Sequence, residues 1–147
     1  MLRLQDTTIL LVEDDPGHAR LIEKNLRRSN VTNGVIKASN GQQALDYLFS
    51  EGQYAGTERA SPLLVLLDLN MPVLDGYQVL ERMKSDERTR HIPVIMLTTT
   101  DDTREVSRCY DLGCSVYVTK PVDYEQFTLA IRNLGLFLSI VTVPDGE

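Results

Sequence analysis

Short runs of apolar residues alternate along this chain with segments whose apolar positions recur every three or four residues. Five runs have the length of strands, and they cover residues 9–12, 35–38, 63–67, 94–97 and 116–119. Alternation of such strands with helical segments is typical of a parallel sheet that carries helices on both faces. The second run is shorter and more polar, which favours a position near an edge of the sheet. The pattern therefore predicts an α/β fold with five parallel strands.

The segments between the strands predict helices and one long connection. We expect helices to begin after residues 15–16 and 40–41, to span residues 76–85 and 103–111, and to begin again near residue 123. In the first helix, near-helical spacing relates Leu21, Ile22, Asn25 and Leu26. Residues 51–62 hold Gly52, Gly56 and Pro62 and lack a periodic apolar face. This segment is predicted to be a loop, longer than most helix-to-strand connections.

Acidic residues follow two of the apolar runs. Asp68 closes the third run, and Glu13, Asp14 and Asp15 follow the first. Ligands of open α/β sheets bind at the carboxyl ends of the strands, so this edge is the candidate site. Two parallel strands that end side by side would bring these acids together, and their repulsion is costly unless a divalent cation or a proton offsets it. Hard oxygen ligands of this kind favour Mg²⁺.

Composition and charge exclude several classes of function. The chain has 147 residues, the size of one domain, with 15 basic and 21 acidic residues and a net charge of -6. That charge disfavours binding to nucleic acid or to anionic lipid. No apolar run reaches the roughly 20 residues that span a bilayer, and the first residues lack the apolar stretch of a signal peptide, so we expect a cytoplasmic protein without a membrane partner. Cys109 and Cys114 are interpreted as reduced packing residues.

Polar groups also end the last two strands, where Thr98 closes the fourth run and Lys120 follows the fifth. Together with the acids they stand in the segments VEDDP, LLDLNMPVLDG, LTTT and VTKP, and this order resembles the response-regulator receiver family. The resemblance spans roughly residues 8–138. It implies a flavodoxin-like, doubly wound sheet with strand order 2-1-3-4-5. It also implies a single receiver domain over residues 1–147, with an apolar carboxyl-terminal extension at 134–147.

Within that family, the chain is similar to the single-domain receivers that partner cyanobacterial phytochromes. The segments that carry this narrower resemblance are DYLF, RHIPVIMLTT, YVTKPVDYEQF and FLSIVTVP. It implies a stand-alone response regulator that accepts a phosphoryl group from a sensor histidine kinase, of the phytochrome type, and signals to a target that the sequence does not reveal. The donor histidine is expected to come from the kinase, because His18 and His91 each stand alone in this sequence.

The resemblance assigns the acidic positions to phosphoryl transfer. Asp68 is the expected phosphoacceptor, since a carboxylate can attack phosphorus and form an acyl phosphate. Asp14 is the expected direct Mg²⁺ ligand, Glu13 acts through water, and Asn70 offers its backbone carbonyl. Asp15 is either a further acid of the cluster or a charge at the start of the first helix.

Three other positions take the roles of catalysis and switching. Lys120 and Thr98 are expected to bind oxygens of the transferred phosphoryl group, whose charge is spread over several oxygens. Thr98 and Tyr117 would form the switch, with the ring turning inward when the hydroxyl moves to the phosphate. A Tyr117 that only packs at the edge of the sheet is the alternative.

Two other functions remain open from the residues. The first is a Mg²⁺-dependent phosphatase with an Asp nucleophile, but such enzymes generally have a second acid two residues later, where this chain has Asn70. The second is a receiver-like scaffold that is never phosphorylated. The full set of competent residues at the expected positions favours the phosphoacceptor, which catalyses only its own modification and is not otherwise an enzyme.

The carboxyl-terminal segment is more apolar than one face of a helix can bury. Leu136, Phe137, Ile140 and Val141 are predicted to form a homodimer interface, because exposed apolar patches mark contacts with partners. The alternative is that this segment folds back over the core of its own domain.

Overall fold

The computed structural model describes residues 7–28, 33–71, 73–98 and 102–119, together with Glu125 and Leu129. In chain order the strands are β1 Thr8–Val12, β2 Val35–Ala38, β3 Leu63–Asp68, β4 Val94–Thr98 and β5 Val116–Thr119. The helices are α1 Pro16–Arg28, α2 Gly41–Phe49, α3 Gly76–Lys84 and α4 Thr103–Asp111, and a short 3-10 helix covers Gly52–Tyr54. The predicted fifth helix begins outside the described ranges.

The strands form one sheet in the order β2-β1-β3-β4-β5, and every neighbouring pair is parallel. The predicted fold class and strand order are therefore confirmed. All six residues of the central strand β3 are buried, which explains its unbroken apolar run. The more polar β2 lies at an edge, as its composition indicated.

Alternate residues of each strand pack on opposite faces of the sheet. On one face, Leu10, Val65 and Met96 belong to a cluster that includes apolar residues of α2 and α3. On the other face, Leu11 and Leu66 belong to a cluster with the buried residues of α1. Within α1 those buried residues are Ala19, Ile22, Asn25 and Leu26, whereas Leu21 is 45% exposed and does not join them. Cys109 and Cys114 are buried free thiols, which agrees with the interpretation of both as packing residues.

Side chains at the helix starts explain where the helices begin. The Asp15 carboxylate accepts hydrogen bonds from the backbone N–H groups of Gly17 at 2.8 Å and His18 at 3.1 Å, so it caps α1. This contact supports the reading of Asp15 as a helix-start charge. Asn40 caps α2 in the same way, and Asp75 forms a capping box at the start of α3. A capping side chain satisfies backbone donors that have no partner inside the helix.

The connection between α2 and β3 is held in place although it is long. The Ser50 hydroxyl donates to the carbonyl of Thr57 at 2.7 Å, and the backbone N–H of Ala60 donates to the Tyr47 hydroxyl at 2.8 Å. The ring of Tyr47 also contacts the ring of Tyr54 edge-on, with 5.2 Å between centroids. The predicted loop is confirmed, but the 3-10 helix inside it was not predicted.

No helix in the described part of the chain is long and apolar enough to cross a membrane. The residues of the predicted dimer interface, 136–141, lie outside the described ranges, and so do Lys120 and the start of the fifth helix.

We predict that Gly41→Ala destabilises the fold, because a Cβ at this position would lie 2.6 Å from the carbonyl oxygen of Leu74 and 2.8 Å from Val79 Cγ2. The expected cost is about 1–3 kcal/mol of unfolding free energy, measured by urea denaturation. Gly34→Ala is the matched control, since nothing lies within 4 Å of its Cβ. Equal stability of the two variants would show that α2 does not pack as described.

Candidate functional site

Three carboxylates meet at the carboxyl edge of the sheet. Strands β1 and β3 pair in parallel, with Val12 opposite Leu67, so the residues after both strands emerge side by side. One carboxylate oxygen each from Glu13, Asp14 and Asp68 lies within 4.8 Å of the others. Glu13 and Asp68 are buried and Asp14 is exposed. The cluster therefore has two desolvated acids and one that reaches solvent.

Each buried carboxylate is oriented by nearby groups. The backbone N–H of Asp15 donates to Glu13 Oε2 at 3.3 Å, and the backbone N–H of Asn70 donates to Asp68 Oδ1 at 3.3 Å. The imidazole of His18 lies beside Glu13, with Nδ1 3.7 Å from Oε1. The Glu13 side chain is 1% exposed while that of His18 is 53% exposed. A solvent-exposed imidazole thus borders the buried acid.

Sequence reasoning missed this position of His18, which had no assigned role. The signal that could have found it is spacing. A residue in the first turn of a helix lies close to the strand end that precedes the helix, and α1 begins three residues after Glu13 with Pro16.

Gly76 allows α3 to begin directly against the end of β3. A Cβ on Gly76 would lie 2.6 Å from the carbonyl oxygen of Asp68 and 2.7 Å from the Cα of Leu69. Its N–H donates to the Leu69 carbonyl at 2.9 Å. Between them, Val73 has a φ of 71° and is 80% exposed, a conformation that a β-branched residue rarely adopts. The loop after Asp68 is therefore tight and strained.

Thr98 and Tyr117 are neighbours on one face of the sheet. Asp68 lies opposite Leu97, so Thr98 is one residue beyond the position that faces the acid. Tyr117 lies opposite Met96, which makes Thr98 and Tyr117 diagonal neighbours on adjacent strands. Burial raises the pKa of the Tyr117 hydroxyl, and a hydrogen bond with the Thr98 side chain acts in the opposite direction. Thr98 is fully buried and Tyr117 is partly buried, so their hydrogen bond is largely shielded from solvent.

Tyr77 joins the start of α3 to α4 beside this pair. Its hydroxyl donates to the carbonyl of Glu105 at 3.4 Å, and the Arg108 guanidinium carbon lies 3.9 Å from the centre of its ring. Burial raises the pKa of Tyr77 to about 12, so the hydroxyl is a neutral donor at physiological pH. Sequence reasoning missed Tyr77, because its partners are distant in the chain.

The described residues thus bring together Glu13, Asp14 and Asp68, and they place Thr98 at the end of the adjacent strand. Asn70 lies two residues after Asp68 and is exposed. Lys120 lies outside the described residues. Oxygen ligands from three acids at this spacing suit a hard divalent cation, whose charge would offset their repulsion.

Comparison with known protein families identifies the family of this chain. Residues 9–132 match the response regulator receiver domain family. This chain is a receiver domain. The resemblance found in the motifs is thereby confirmed, and so is the expectation that the chain is a signalling domain of this class.

Individual receivers resemble the whole chain. The response regulator Rcp1 of Synechocystis is 34% identical over 137 residues, which is 92% of each protein. A receiver domain structure from Rhodospirillum rubrum is 54% identical with a TM-score of 0.77, and covers 96% of this chain and 99% of its own. The bacteriophytochrome response regulator RtBRR is 42% identical with a TM-score of 0.81, over 94% of this chain and 83% of its own.

Two solved structures bear on the chemistry of the family. The cyanobacterial phytochrome response regulator RcpA was solved in a phosphorylated form, and it is 37% identical with a TM-score of 0.76 over 94% of this chain and 98% of its own. Rcp1 was solved in a Mn²⁺-bound form, with 33% identity and a TM-score of 0.76 over 94% of this chain and 99% of its own. Both are similar to this receiver over nearly its full length.

We predict that Asp14→Asn weakens Mg²⁺ binding by about tenfold or more, because it removes a charged ligand from the cluster. Without Mg²⁺ the melting temperature of this variant should stay the same or rise, since one repulsive charge is lost. Calorimetric titration and thermal melts with and without Mg²⁺ measure both quantities.

The matched control is Asp15→Asn, which removes the same charge two residues from Glu13 while keeping a side chain that caps a helix well. Its Mg²⁺ affinity should stay near that of the wild type. A large drop in the melting temperature of Asp14→Asn with an unchanged Mg²⁺ titration would contradict this placement of the acids.

Proposed function

We propose that this receiver is a phosphorylation switch, in which Asp68 accepts a phosphoryl group from the histidine of a sensor kinase in a Mg²⁺-dependent reaction. The observation that carries the proposal is the meeting of Asp68 with Glu13 and Asp14 at the carboxyl edge of the sheet. A lone buried carboxylate would lower the stability of the fold, and its negative charge would repel a phosphoryl donor. One that shares a site with two further acids can have its charge offset by a cation and can then approach a phosphoryl donor.

In the proposed transfer, an oxygen of the Asp68 carboxylate forms a bond to phosphorus while the bond between phosphorus and the kinase imidazole breaks. The electron pair of that bond stays on the imidazole, which leaves the kinase histidine free and Asp68 as an acyl phosphate. When bound, Mg²⁺ would neutralise charge on the acids and on the transferred group. Asp14 and Asp68 would hold it directly, with the Asn70 carbonyl, and Glu13 would act through water.

The remaining site residues would bind the product. Lys120 would take one phosphoryl oxygen through its ammonium group, and the Thr98 hydroxyl would take another. Thr98 already interacts with Tyr117, so its movement toward the phosphoryl group would remove a partner of the tyrosine hydroxyl. The Tyr117 ring would then change its position at the edge strand β5, and phosphorylation would alter the surface that a partner contacts.

A kinase of the phytochrome type is the partner that we propose. The support is the similarity of the whole chain to RtBRR and RcpA, which are themselves phytochrome response regulators. The chain would act as one receiver unit over residues 1–147, with a core at about 8–138, and without an activity beyond its own phosphorylation and dephosphorylation.

We predict that acetyl phosphate and Mg²⁺ suffice to add one phosphate, because Asp68 attack requires no group from a second protein. Intact-mass spectrometry should show a single addition in the wild type and none in Asp68→Asn. Asp75→Asn is the matched control, since Asp75 only caps α3 and Asn caps equally well. If Asp68→Asn gained phosphate with the yield of the wild type, another residue would be the nucleophile.

We also propose that Leu136, Phe137, Ile140 and Val141 form a symmetric dimer contact, an argument that rests on the sequence alone. Phe137→Lys should then weaken self-association in sedimentation velocity runs at several concentrations, because burying an unpaired charge is unfavourable. Beryllofluoride should shift the dimer equilibrium of the wild type.

The control for this test is Leu21→Lys, which places the same charge on an exposed apolar position of α1. It should associate like the wild type. Monomers at every concentration for both the wild type and Phe137→Lys, with and without beryllofluoride, would defeat the dimer proposal.

A further inference from the structure

A cavity of about 310 Å³ opens at the edge of the sheet opposite to Asp68. Three segments line it: the end of α2, the connection before β3 and the connection before β4. The lining residues that matter are Phe49, Ser50, Glu58, Arg59, Ser61 and Arg88. All of these lie near the amino ends of β3 and β4, so the cavity is separate from the candidate phosphorylation site.

The walls of the cavity are held together before any ligand binds. Arg59 Nη2 donates to the carbonyl of Arg88 at 2.7 Å, which ties the connection before β3 to the connection before β4. The hydroxyl of Ser50 donates to the carbonyl of Thr57 at 2.7 Å, which ties the end of α2 to the connection before β3. Preformed walls lower the entropy that binding costs. The long connection at residues 51–62 thus supplies one wall of the cavity.

Two guanidinium groups, of Arg59 and Arg88, and one carboxylate, of Glu58, line the cavity. Arg88 forms an ion pair with Asp86 at 2.9 Å, and its guanidinium carbon lies 4.7 Å from the centre of the Phe49 ring. Arg82 lies 4.8 Å from the same ring centre. The Asp86 carboxylate accepts from Nε and Nη2 of Arg88 at 3.1 and 2.9 Å, so these contacts fix the Arg88 side chain beside the cavity.

Arg59 is the residue that points to a ligand. It is partly buried, and no carboxylate of the described residues lies within ion-pair distance of it, although Glu58 is its neighbour in the chain. Burial lowers the pKa of Arg59, while the nearby Tyr47 raises it and Arg88 lowers it. A partly buried cation that has no acid within ion-pair distance among the described residues is stabilised by a bound anion.

We propose that this cavity binds the oxyanion group of a small molecule, a phosphate or a carboxylate, at the guanidinium of Arg59, beside the ion pair of Arg88 with Asp86. A guanidinium presents N–H donors in a planar fork that matches two oxygens of such a group. The net charge of -6 repels anions from the molecule as a whole, so binding would depend on these local donors. Glu58 at the same cavity opposes an anion and limits the site to one such group.

The test is an NMR titration of amide ¹H–¹⁵N resonances at constant ionic strength, with a chelator present so that no metal occupies the Asp68 edge. Inorganic phosphate is added in one series and acetate in another. We expect saturable shifts of the amides of Ser50, Arg59 and Arg88 in at least one series, while residues 68–70 stay unchanged. The series with the lower dissociation constant assigns the phosphate or the carboxylate as the bound group.

Variants make the assignment to Arg59 specific. Arg59→Gln should weaken binding by about tenfold or more, and Arg59→Lys should also weaken it, because an ammonium keeps the charge but loses the fork. Glu58→Gln should strengthen binding, since it removes the opposing charge. Arg20→Gln on α1 removes the same charge as Arg59→Gln from an exposed position away from the cavity, and it should bind like the wild type.

Three results would overturn the proposal. The first is the lack of saturation with both anions, and the second is a set of shifts confined to residues 68–70. The third is unchanged affinity in Arg59→Gln and Arg59→Lys, with spectra as well dispersed as that of the wild type.

Discussion

Parallel pairing of β1 with β3 is the constraint on which the site depends. It places the residues after Val12 beside Asp68 and so forces acidic side chains into one small volume. Two of the three acids, Glu13 and Asp68, are buried, and buried like charges oppose folding. The fold must therefore be held by other interactions that are strong enough to keep the acids together.

Apolar packing supplies that strength. Strand β3 is buried along its whole length between two clusters, one with α2 and α3 and the other with α1. Each fully buried leucine contributes about 1.5–3 kcal/mol relative to an exposed one, and β3 alone holds several of them. The sheet is thus stable enough to present a cluster of acids whose repulsion a bound cation would relieve. In the proposed switch, the same rigidity would let Thr98 and Tyr117 respond to a change at Asp68 without disturbing the core.

The fold could be predicted from the sequence because its signals are local. Strands buried on both faces are continuous apolar runs, and Asp15, Asn40 and Asp75 mark helix starts within a few residues of the backbone groups that they cap. Contacts between residues that are far apart in the chain leave no such local signal in the sequence. The approach of Arg59 to Arg88 therefore emerged only from the packed structure, as did the 3-10 helix Gly52–Tyr54.

Binding of Mn²⁺, followed by paramagnetic broadening of amide resonances, tests the central claim most directly, because the effect is strongest close to the ion. With Mn²⁺ well below one equivalent, the amides of residues 13–15 and 68–70 should broaden first and together, and excess Mg²⁺ should reverse the effect. Broadening centred on another acidic region, such as Asp86 and Glu87, with residues 68–70 unaffected, would contradict a shared cation site at the carboxyl ends of β1 and β3.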